Sequence, residues 1–249
     1  MPRARFRRMI LTPVACLWAA LGEALYPALC LSCERPVSSR NEYLCRACLA
    51  KFKNVDVWDL PYRALQERLE AGMVDIVVPF YGERAGPLQC ALTRLKKEGA
   101  GRLGVFLGEE LGRSVLDAGY GEVDAVVPVP LHRCVMRERS FNQVDSVARG
   151  IGRVTGRPVR ARWVCRTRYT RVQAALPWDA RPANVHRAFA VPALARRAIQ
   201  GKKILLVDDV VASGSTICAC ASALLEAGAA KVVGCAVAIA CENAKGRIS

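Results

Sequence analysis

The chain has 249 residues, of which 52% are hydrophobic and 24% are charged, and its formal net charge is +15. This composition excludes a disordered chain and suits one substantial hydrophobic core with a small accessory module. Residues 133–187 hold 13 arginines and three acids, a net +10, and such a field attracts polyanions such as pyrophosphate or a nucleic-acid backbone. Arginines that merely cover a solvated surface are the alternative.

The first predicted element is a basic amphipathic helix over residues 1–27. Four arginines precede an apolar stretch at residues 9–21, a pattern that a signal peptide would also show. Pro13 and Trp18 interrupt the stretch and Glu23 follows it closely, so a helix that packs on the protein is favoured. The stretch is too short for a transmembrane helix, and we expect no membrane-spanning segment.

Residues 28–54 are predicted to form a four-cysteine zinc ribbon. Cys30 with Cys33 and Cys45 with Cys48 form two CxxC pairs separated by eleven residues, a spacing typical of structural Zn²⁺ sites. Few apolar residues lie between the pairs, so the metal would supply most of the folding free energy. A redox dithiol is the alternative, but neither pair follows a βαβ pattern. Most of the other cysteines lie in apolar helix or strand patterns, which favours a reducing cytoplasm.

Residues 55–74 are predicted to be a connector, and residues 75–249 to form an α/β domain. Strands are expected at residues 75–81, 123–129, 159–165, 203–209 and 231–240, and helices at residues 87–97, 102–116, 141–154 and 215–227. Residues 167–187 show no periodicity. The alternation of strands and helices predicts a parallel sheet with helices on both faces.

The turn after the strand at residues 123–129 has the composition of a pyrophosphate site. Pro128 and Val129 end the strand, and Arg133, Arg137 and Arg139 follow in a segment that leads into a helix. Cations and helix N–H groups at the carboxyl end of a strand can hold a pyrophosphate. A proline-stiffened loop with surface arginines is the alternative.

The strand at residues 203–209 and the turn after it are the most informative stretch. Asp208 and Asp209 end the strand, and small residues lead from it into a helix, namely Ala212, Ser213, Gly214, Ser215 and Thr216. Ligands of open α/β sheets bind at the carboxyl ends of the strands. Carboxylates can hold sugar hydroxyls and helix N–H groups can hold a phosphate, so a sugar phosphate is the expected ligand. The alternative is an ordinary helix cap.

This stretch closely resembles the phosphoribosyl-pyrophosphate (PRPP) signature of type I phosphoribosyltransferases. The resemblance implies the type I phosphoribosyltransferase fold, a parallel sheet flanked by helices, in which Asp208 and Asp209 hold and orient the ribose and residues 212–216 bind the 5-phosphate. The family usually has threonine at the position of Ala212, so one hydroxyl contact is missing here. The loss of one such contact weakens a site by about 1.5–3 kcal/mol without abolishing it.

The full set of motifs resembles the competence protein F (ComF) family, whose members join a cysteine-rich zinc module to a phosphoribosyltransferase-like domain. The match includes the four cysteines, Leu95-Lys96, residues 127–133, Arg139-Ser-Phe-Asn-Gln143 and the PRPP signature. Ser140 stands where the family usually has glycine. The resemblance implies that the turn with Pro128, Val129 and Arg133 binds pyrophosphate, with Arg137 and Arg139 nearby. It also implies that residues 170–184 form a flexible loop whose Arg171 or Arg181 reaches the leaving pyrophosphate.

The resemblance further implies a cytoplasmic protein that acts in natural competence and DNA uptake. As an enzyme it would bind PRPP with Mg²⁺ and transfer the phosphoribosyl group to an acceptor that no residue of the chain identifies. A non-catalytic factor that binds single-stranded DNA and other competence proteins is one alternative. A regulator that senses PRPP without turnover is another.

Overall fold

The computed structural model describes residues 27–37, 43–70, 74–82, 86–98, 100–168 and 188–240. The chain divides into two compact units, Met1–Lys51, here called the cysteine unit, and Phe52–Ser249, here called the sheet unit. The predicted helix over residues 1–27 and most of the aperiodic segment 167–187 lie outside the described residues. Within the described ranges, no helix is long and apolar enough to cross a membrane.

The cysteine unit is built from short turns. The N–H of Cys30 donates to the carbonyl of Arg35 at 2.8 Å, and a short helix, α1 (Arg46–Leu49), follows the first cysteine of the second pair. Among the described residues of this unit, only Cys30, Leu44 and Cys48 are buried. Apolar burial among these described residues therefore contributes little to stability.

The sheet unit alternates helices and strands along most of its length. Its helices are α2 (Leu60–Glu70), α3 (Pro87–Glu98), α4 (Gly101–Asp117), α5 (Arg133–Arg139), α6 (Gln143–Thr155), α7 (Ala193–Ile199) and α8 (Ser215–Glu226). Its strands are β1 (Asp75–Val77), β2 (Phe80–Gly82), β3 (Ala125–Pro128), β4 (Cys165–Arg166), β5 (Phe189–Ala190), β6 (Lys203–Val211) and β7 (Lys231–Ala240). The predicted strand at residues 231–240 coincides with β7.

Five parallel strands form the main sheet. β6 lies between β3 and β7, and β1 and β2 both pair with β7 along its other edge. The register sets Pro128 of β3 beside Val207 of β6, and Asp208 beside Ala236 of β7. The predicted parallel sheet is confirmed. Because all five strands run the same way, the carboxyl ends of β3 and β6 lie side by side at one edge.

The core of the sheet unit lies on both faces of the sheet. Ile204 and Leu206 of β6 pack with residues of α8 in one buried cluster, while α4 and α6 pack on each other and on β-strands of the sheet. A Cβ on Gly108 of α4 would lie 2.1 Å from the carbonyl oxygen of Val147 in α6, so only glycine allows this approach. The contact fixes α6 against the sheet and thereby fixes where its N-terminus lies.

The structure differs from the sequence-based expectation in several elements. Helices α2, α5 and α7 were not expected, and α2 lies in the predicted connector, where its Leu65 and Leu69 are buried in the core. The predicted strand at residues 159–165 is wrong. Only Val159 bridges to Val126, a turn follows, and β4 pairs antiparallel with β5. The apolar pattern there reflects side chains that pack on the core from a turn rather than a strand of the main sheet.

Ser140 gives a stability prediction because it ends α5 in the left-handed region, with φ at 62°. A side chain in that region costs roughly 1–2 kcal/mol. The Ser140→Gly variant is therefore expected to raise the free energy of unfolding by about 0.5–1 kcal/mol, since the freedom of glycine in the unfolded chain offsets part of the gain. Denaturant unfolding measures this difference.

Gly156 provides the matched variant of opposite sign. It ends α6 with φ at 69°, and no atom lies within 4 Å of an added Cβ. The Gly156→Ala variant is expected to lower the free energy of unfolding by about 1 kcal/mol for conformational reasons alone. Equal unfolding midpoints for Ser140→Gly and the parent protein would contradict the argument.

Candidate functional site

The two carboxylates at the end of β6 point into different surroundings. Asp209 is buried, and its Oδ2 atom lies 3.1 Å from Nζ of Lys96 on α3. The same oxygen accepts a hydrogen bond of 3.1 Å from Nε2 of Gln143, the first residue of α6. Its other oxygen, Oδ1, accepts the N–H of Val210 at 2.8 Å. These three donors fix the orientation of the Asp209 carboxylate.

Asp208 has fewer donors. Its Oδ1 accepts the backbone N–H of Asp209 at 2.8 Å. Burial, together with the neighbouring negative charge of Asp209, raises the pKa of the Asp208 carboxyl to about 8. A ligand that donates hydrogen bonds to this carboxyl group would stabilise its ionised form.

The pKa of Asp208 gives a testable pH dependence. A carboxyl whose pKa is raised on folding stabilises the fold while it is protonated, and this contribution is lost as the pH rises toward the folded-state pKa. Asp208→Asn removes that loss, because asparagine stays neutral and its Oδ1 can still accept the N–H of Asp209. We expect the variant to melt at about the same temperature as the parent near pH 4 and above it near pH 8. A difference in melting temperature that does not grow over this range would refute the prediction.

The turn after β6 forms a small polar cradle at the start of α8. Ser213 is buried, and its hydroxyl lies 2.8 Å from the hydroxyl of Ser215. Gly214 has φ at 76°, and an added Cβ would lie 3.0 Å from Cδ1 of Leu65 in α2. Glycine is favoured here because it adopts this backbone conformation without strain and because it has no Cβ that would crowd the side chain of Leu65. The first N–H groups of α8 face this turn, as the N-terminus of a helix requires.

The turn after β3 is tied to β6 and to α6. The N–H of Val129 donates to the carbonyl of Val207 at 2.8 Å, and the carbonyl of Val129 accepts Nδ2 of Asn142 at 3.1 Å. His132 caps α5, because its Nδ1 accepts the N–H of Cys134 at 3.2 Å. This gives His132 a local structural role.

The three predicted arginines of this region lie along α5. Arg133 and Arg137 are exposed, whereas Arg139 is partly buried and its Nη1 donates to Oε1 of Gln143 at 3.3 Å. Arg139 is therefore linked through Gln143 to Asp209. Asn142 holds the turn after β3 and the next residue, Gln143, holds Asp209, so two consecutive residues contact both parts of the region.

The four predicted cysteine ligands lie together in the cysteine unit. Their sulfur atoms are all within 4.8 Å of one another, and Sγ of Cys33 lies 3.7 Å from Sγ of Cys45. Tetrahedral zinc with Zn–S bonds of about 2.3 Å requires sulfur atoms about 3.8 Å apart. Burial raises the pKa of the Cys30 thiol, but backbone N–H donors including those of Cys45 and Cys33 outweigh it and hold the pKa at about 6. Distance and donor chemistry both fit a zinc ion.

Comparison with known proteins supports the resemblance to phosphoribosyltransferases and to the ComF family that the sequence motifs indicated. A model of the family described as "Phosphoribosyl transferase domain" matches residues 138–248. "DNA utilization protein YhgH" of Escherichia coli O6:H1 is 29% identical over 223 residues, 83% of this chain and 94% of that protein. "Competence protein F" of Haemophilus influenzae is 31% identical over 94 residues, 38% of this chain and 41% of that protein. These relatives and the family model together support the ComF family for this chain.

Among solved structures, the glutamine PRPP amidotransferase of B. subtilis aligns with 60% of this chain and 27% of that chain, at 22% identity and a TM-score of 0.35. The family match and the parallel sheet flanked by helices confirm the type I phosphoribosyltransferase fold expected from the sequence. The four clustered cysteines fit the zinc module expected of a ComF protein.

The structure brings most of the predicted ComF site residues to one edge of the sheet. Asp208 and Asp209 lie in the last four residues of β6, and residues 212–216 follow it. Pro128 ends the neighbouring strand β3, and Val129 and Arg133 follow it. Arg171 lies outside the described residues, so its role stays a prediction.

Three residues that contact this site were not predicted as site residues. They are Lys96, Asn142 and Gln143. All three lie in motifs on which the resemblance to the ComF family rests, and those motifs are the sequence signal that could have pointed to them. No local sequence pattern shows that their side chains reach Val129 or Asp209.

Proposed function

We propose that this protein binds PRPP with Mg²⁺ at the carboxyl ends of β3 and β6. One observation carries the proposal. Asp209 near the end of β6 is joined through Gln143 to Arg139 at the end of α5. The adjacent Asn142 donates to the carbonyl of Val129 in the turn that follows β3. A ligand with a ribose between a phosphate and a pyrophosphate matches an acidic pair that lies between a helix N-terminus and a basic turn.

Each group of residues would act on one part of PRPP. Asp208 and Asp209 would accept the ribose hydroxyls, and the cradle from Ala212 to Thr216 would hold the 5-phosphate. Arg133, Arg137 and Arg139 would stabilise the negative charge of the pyrophosphate. When bound, Mg²⁺ would neutralise pyrophosphate oxygens, and the carboxylates of the acidic pair are protein oxygen donors of the kind it accepts.

Transfer of the phosphoribosyl group to an acceptor is the reaction this site would serve. Asp208 and Asp209 would orient the ribose as C1 becomes cation-like, and Arg171 would reach the departing pyrophosphate. Binding of PRPP without turnover would make the protein a sensor, and the same residues would hold the ligand. Release of pyrophosphate in the presence of candidate acceptors separates the two.

In the cysteine unit, we propose that Cys30, Cys33, Cys45 and Cys48 bind one structural Zn²⁺. The distances between their sulfur atoms and the small apolar core of the unit support this. All four ligands would come from the protein, which is typical of a structural rather than a catalytic zinc site.

Calorimetric titration with Mg-PRPP tests the proposed site. The parent protein is expected to bind, and the Asp208→Ala/Asp209→Ala variant is expected to show no measurable binding. Gln200→Met is the matched control, because Gln200 donates to the carbonyl of Ala227 away from the carboxyl end of the sheet. A parent protein that does not bind Mg-PRPP would rule out both the transferase and the sensor.

The second candidate function is binding of single-stranded DNA during DNA uptake in the cytoplasm, together with other competence proteins. A cleft of about 610 Å³ beside the turn after β3 favours it. Trp163 and Leu194 contribute apolar surface to the cleft, and three arginines, Arg133, Arg162 and Arg166, also line it. None of the described residues that line it is acidic. Apolar surface for a base beside cations for its phosphates is typical of single-strand grooves.

Salt dependence and one variant test this second function. Binding of a single-stranded oligonucleotide is expected to weaken steeply between low and physiological salt. Trp163→Ala is expected to lower the affinity about tenfold, in line with the loss of one stacked base. Val57→Ala, an exposed apolar residue that does not line the cleft, is the control. Affinity that is insensitive to salt and to Trp163→Ala would argue against this function.

A further inference from the structure

Two consecutive residues at the start of α6 reach both halves of the candidate PRPP pocket. Asn142 and Gln143 are 7% and 4% exposed. Asn142 caps the helix, because its Oδ1 accepts the N–H of Val144 at 3.2 Å. Its Nδ2 donates to the carbonyl of Val129 at 3.1 Å and so holds the turn after β3.

Gln143 reaches the other half of the pocket. Its Nε2 donates to Oδ2 of Asp209 at 3.1 Å, and its Oε1 accepts Nη1 of Arg139 at 3.3 Å. Both ends of the amide are used, so a rotation that exchanged them would place like groups against each other at both contacts. The side chain therefore has one favourable orientation.

The backbone that carries both residues has little freedom to adapt. α6 is pressed against α4 at Gly108 and also at Gly150, where an added Cβ would lie 2.1 Å from the carbonyl oxygen of Val105. A displacement of the turn after β3 or of Arg139 must therefore be taken up by the side chains of Asn142 and Gln143. A displacement of Arg139 reaches the Asp209 carboxylate through the hydrogen bonds of Gln143. A displacement of the turn after β3 acts first on Asn142, which is the backbone neighbour of Gln143.

We propose that Asn142 and Gln143 are positioning residues that couple the two halves of the pocket. Occupation of the pyrophosphate half would order Arg139 and the turn after β3, and would thereby fix Asp209 for the ribose. By thermodynamic reciprocity, ribose phosphate would raise the affinity for pyrophosphate by the same factor. The inference rests on the proposed function, since it assigns the coupling to the proposed PRPP site.

The test uses the two fragments of the ligand on the full chain. Calorimetry measures the affinity for ribose 5-phosphate with and without saturating Mg-pyrophosphate. In the parent protein the affinity is expected to rise at least about fivefold when pyrophosphate is bound, the lower end of ordinary coupling between sites. In Gln143→Met, which keeps the length of the side chain but none of its hydrogen bonds, the rise is expected to be less than about twofold.

A second variant and a control separate coupling from general damage. Gln143→Glu keeps an acceptor for Arg139 and loses the donor to Asp209, so it is expected to lose the coupling as well. It replaces Gln143→Met in the test if that variant does not fold. Gln200→Met removes a hydrogen bond far from the pocket and is expected to keep the parent coupling factor even where it lowers stability.

The outcomes distinguish this inference from the proposed function. A Gln143 variant that retains the parent coupling factor overturns the inference alone, as does a parent protein that binds each fragment with no effect of the other. A parent protein that binds neither Mg-PRPP nor ribose 5-phosphate overturns the proposed function, and the inference with it.

Discussion

Exchange of Cys48 for serine is expected to abolish zinc binding and to unfold the cysteine unit. The described part of this unit has three buried residues, of which two are cysteines of the cluster. Zinc bound to four thiolates contributes about 10–16 kcal/mol to small metal-folded domains, far more than the burial of one leucine, at about 1.5–3 kcal/mol. Without the metal, the described residues of the unit have too little buried apolar surface to keep their fold.

Metal analysis and limited proteolysis check this prediction. The parent is expected to hold one zinc per chain, and Cys48→Ser none, with new cleavage in residues 27–51 and a protected sheet unit. Cys134→Ser is the matched control, because Cys134 is exposed on α5 and is not part of the cluster. Full zinc content in Cys48→Ser, or an uncleaved cysteine unit without zinc, would show that the metal does not hold this unit together.

The Lys96→Met variant is expected to damage both stability and PRPP binding. The Lys96 side chain is 35% exposed, but its partner Asp209 is only 8% exposed, so the substitution leaves a buried carboxylate without its cation. Removal of one partner of a fully buried pair costs 3–5 kcal/mol, and the partial exposure of Lys96 reduces this to about 2 kcal/mol. An acidic pair without Lys96 would hold ribose less well, and we expect the affinity for Mg-PRPP to fall about tenfold or more.

The effect of Lys96→Met should depend on pH in a defined direction. The charge of Lys96 lowers the pKa of Asp208, although burial and Asp209 keep that pKa raised overall. Without Lys96 the pKa of Asp208 would rise further. Ionisation of Asp208 at high pH would then cost the folded state more free energy than it does in the parent protein. The stability deficit is thus expected to be larger near pH 8 than near pH 5.

Lys97→Met is the control for Lys96→Met. Lys97 is the next residue of α3 and is exposed, so its replacement is expected to change the unfolding free energy by less than about 0.5 kcal/mol. Equal effects of the two substitutions on unfolding and on Mg-PRPP binding would show that the contact between Lys96 and Asp209 has no special role.

Elements with a strong local signal were predictable from the sequence. β7 and the helix at Pro87–Glu98 match the expected bounds closely, because a continuous apolar run and a 3.6-residue period each reflect burial that is set within one element. Two CxxC pairs are likewise a local signal, since each pair presents two thiolates whatever the rest of the chain does. The acidic pair and the small residues after it were visible for the same reason.

Other elements could not be predicted because tertiary contacts determine them. α2 has apolar residues such as Leu65 and Leu69, yet its sequence also suits an exposed connector, and it is buried because it packs beneath Gly214. α5 is rich in arginine and has no apolar face. The stretch at residues 159–165 alternates like a strand, but only Val159 bridges to the edge strand β3.

The sequence by itself determined the class of this protein: a parallel α/β sheet, a four-cysteine cluster, and a sugar-phosphate motif of the ComF family at Asp208 and Asp209. These follow from patterns within short stretches of chain. Only the tertiary structure decided how the two halves of the pocket are joined. Lys96, Gln143 and Asp209 are far apart in sequence, and they meet because the parallel register aligns the ends of β3 and β6 and because glycines press α4 and α6 together. Contacts of that range depend on packing, which no local pattern encodes.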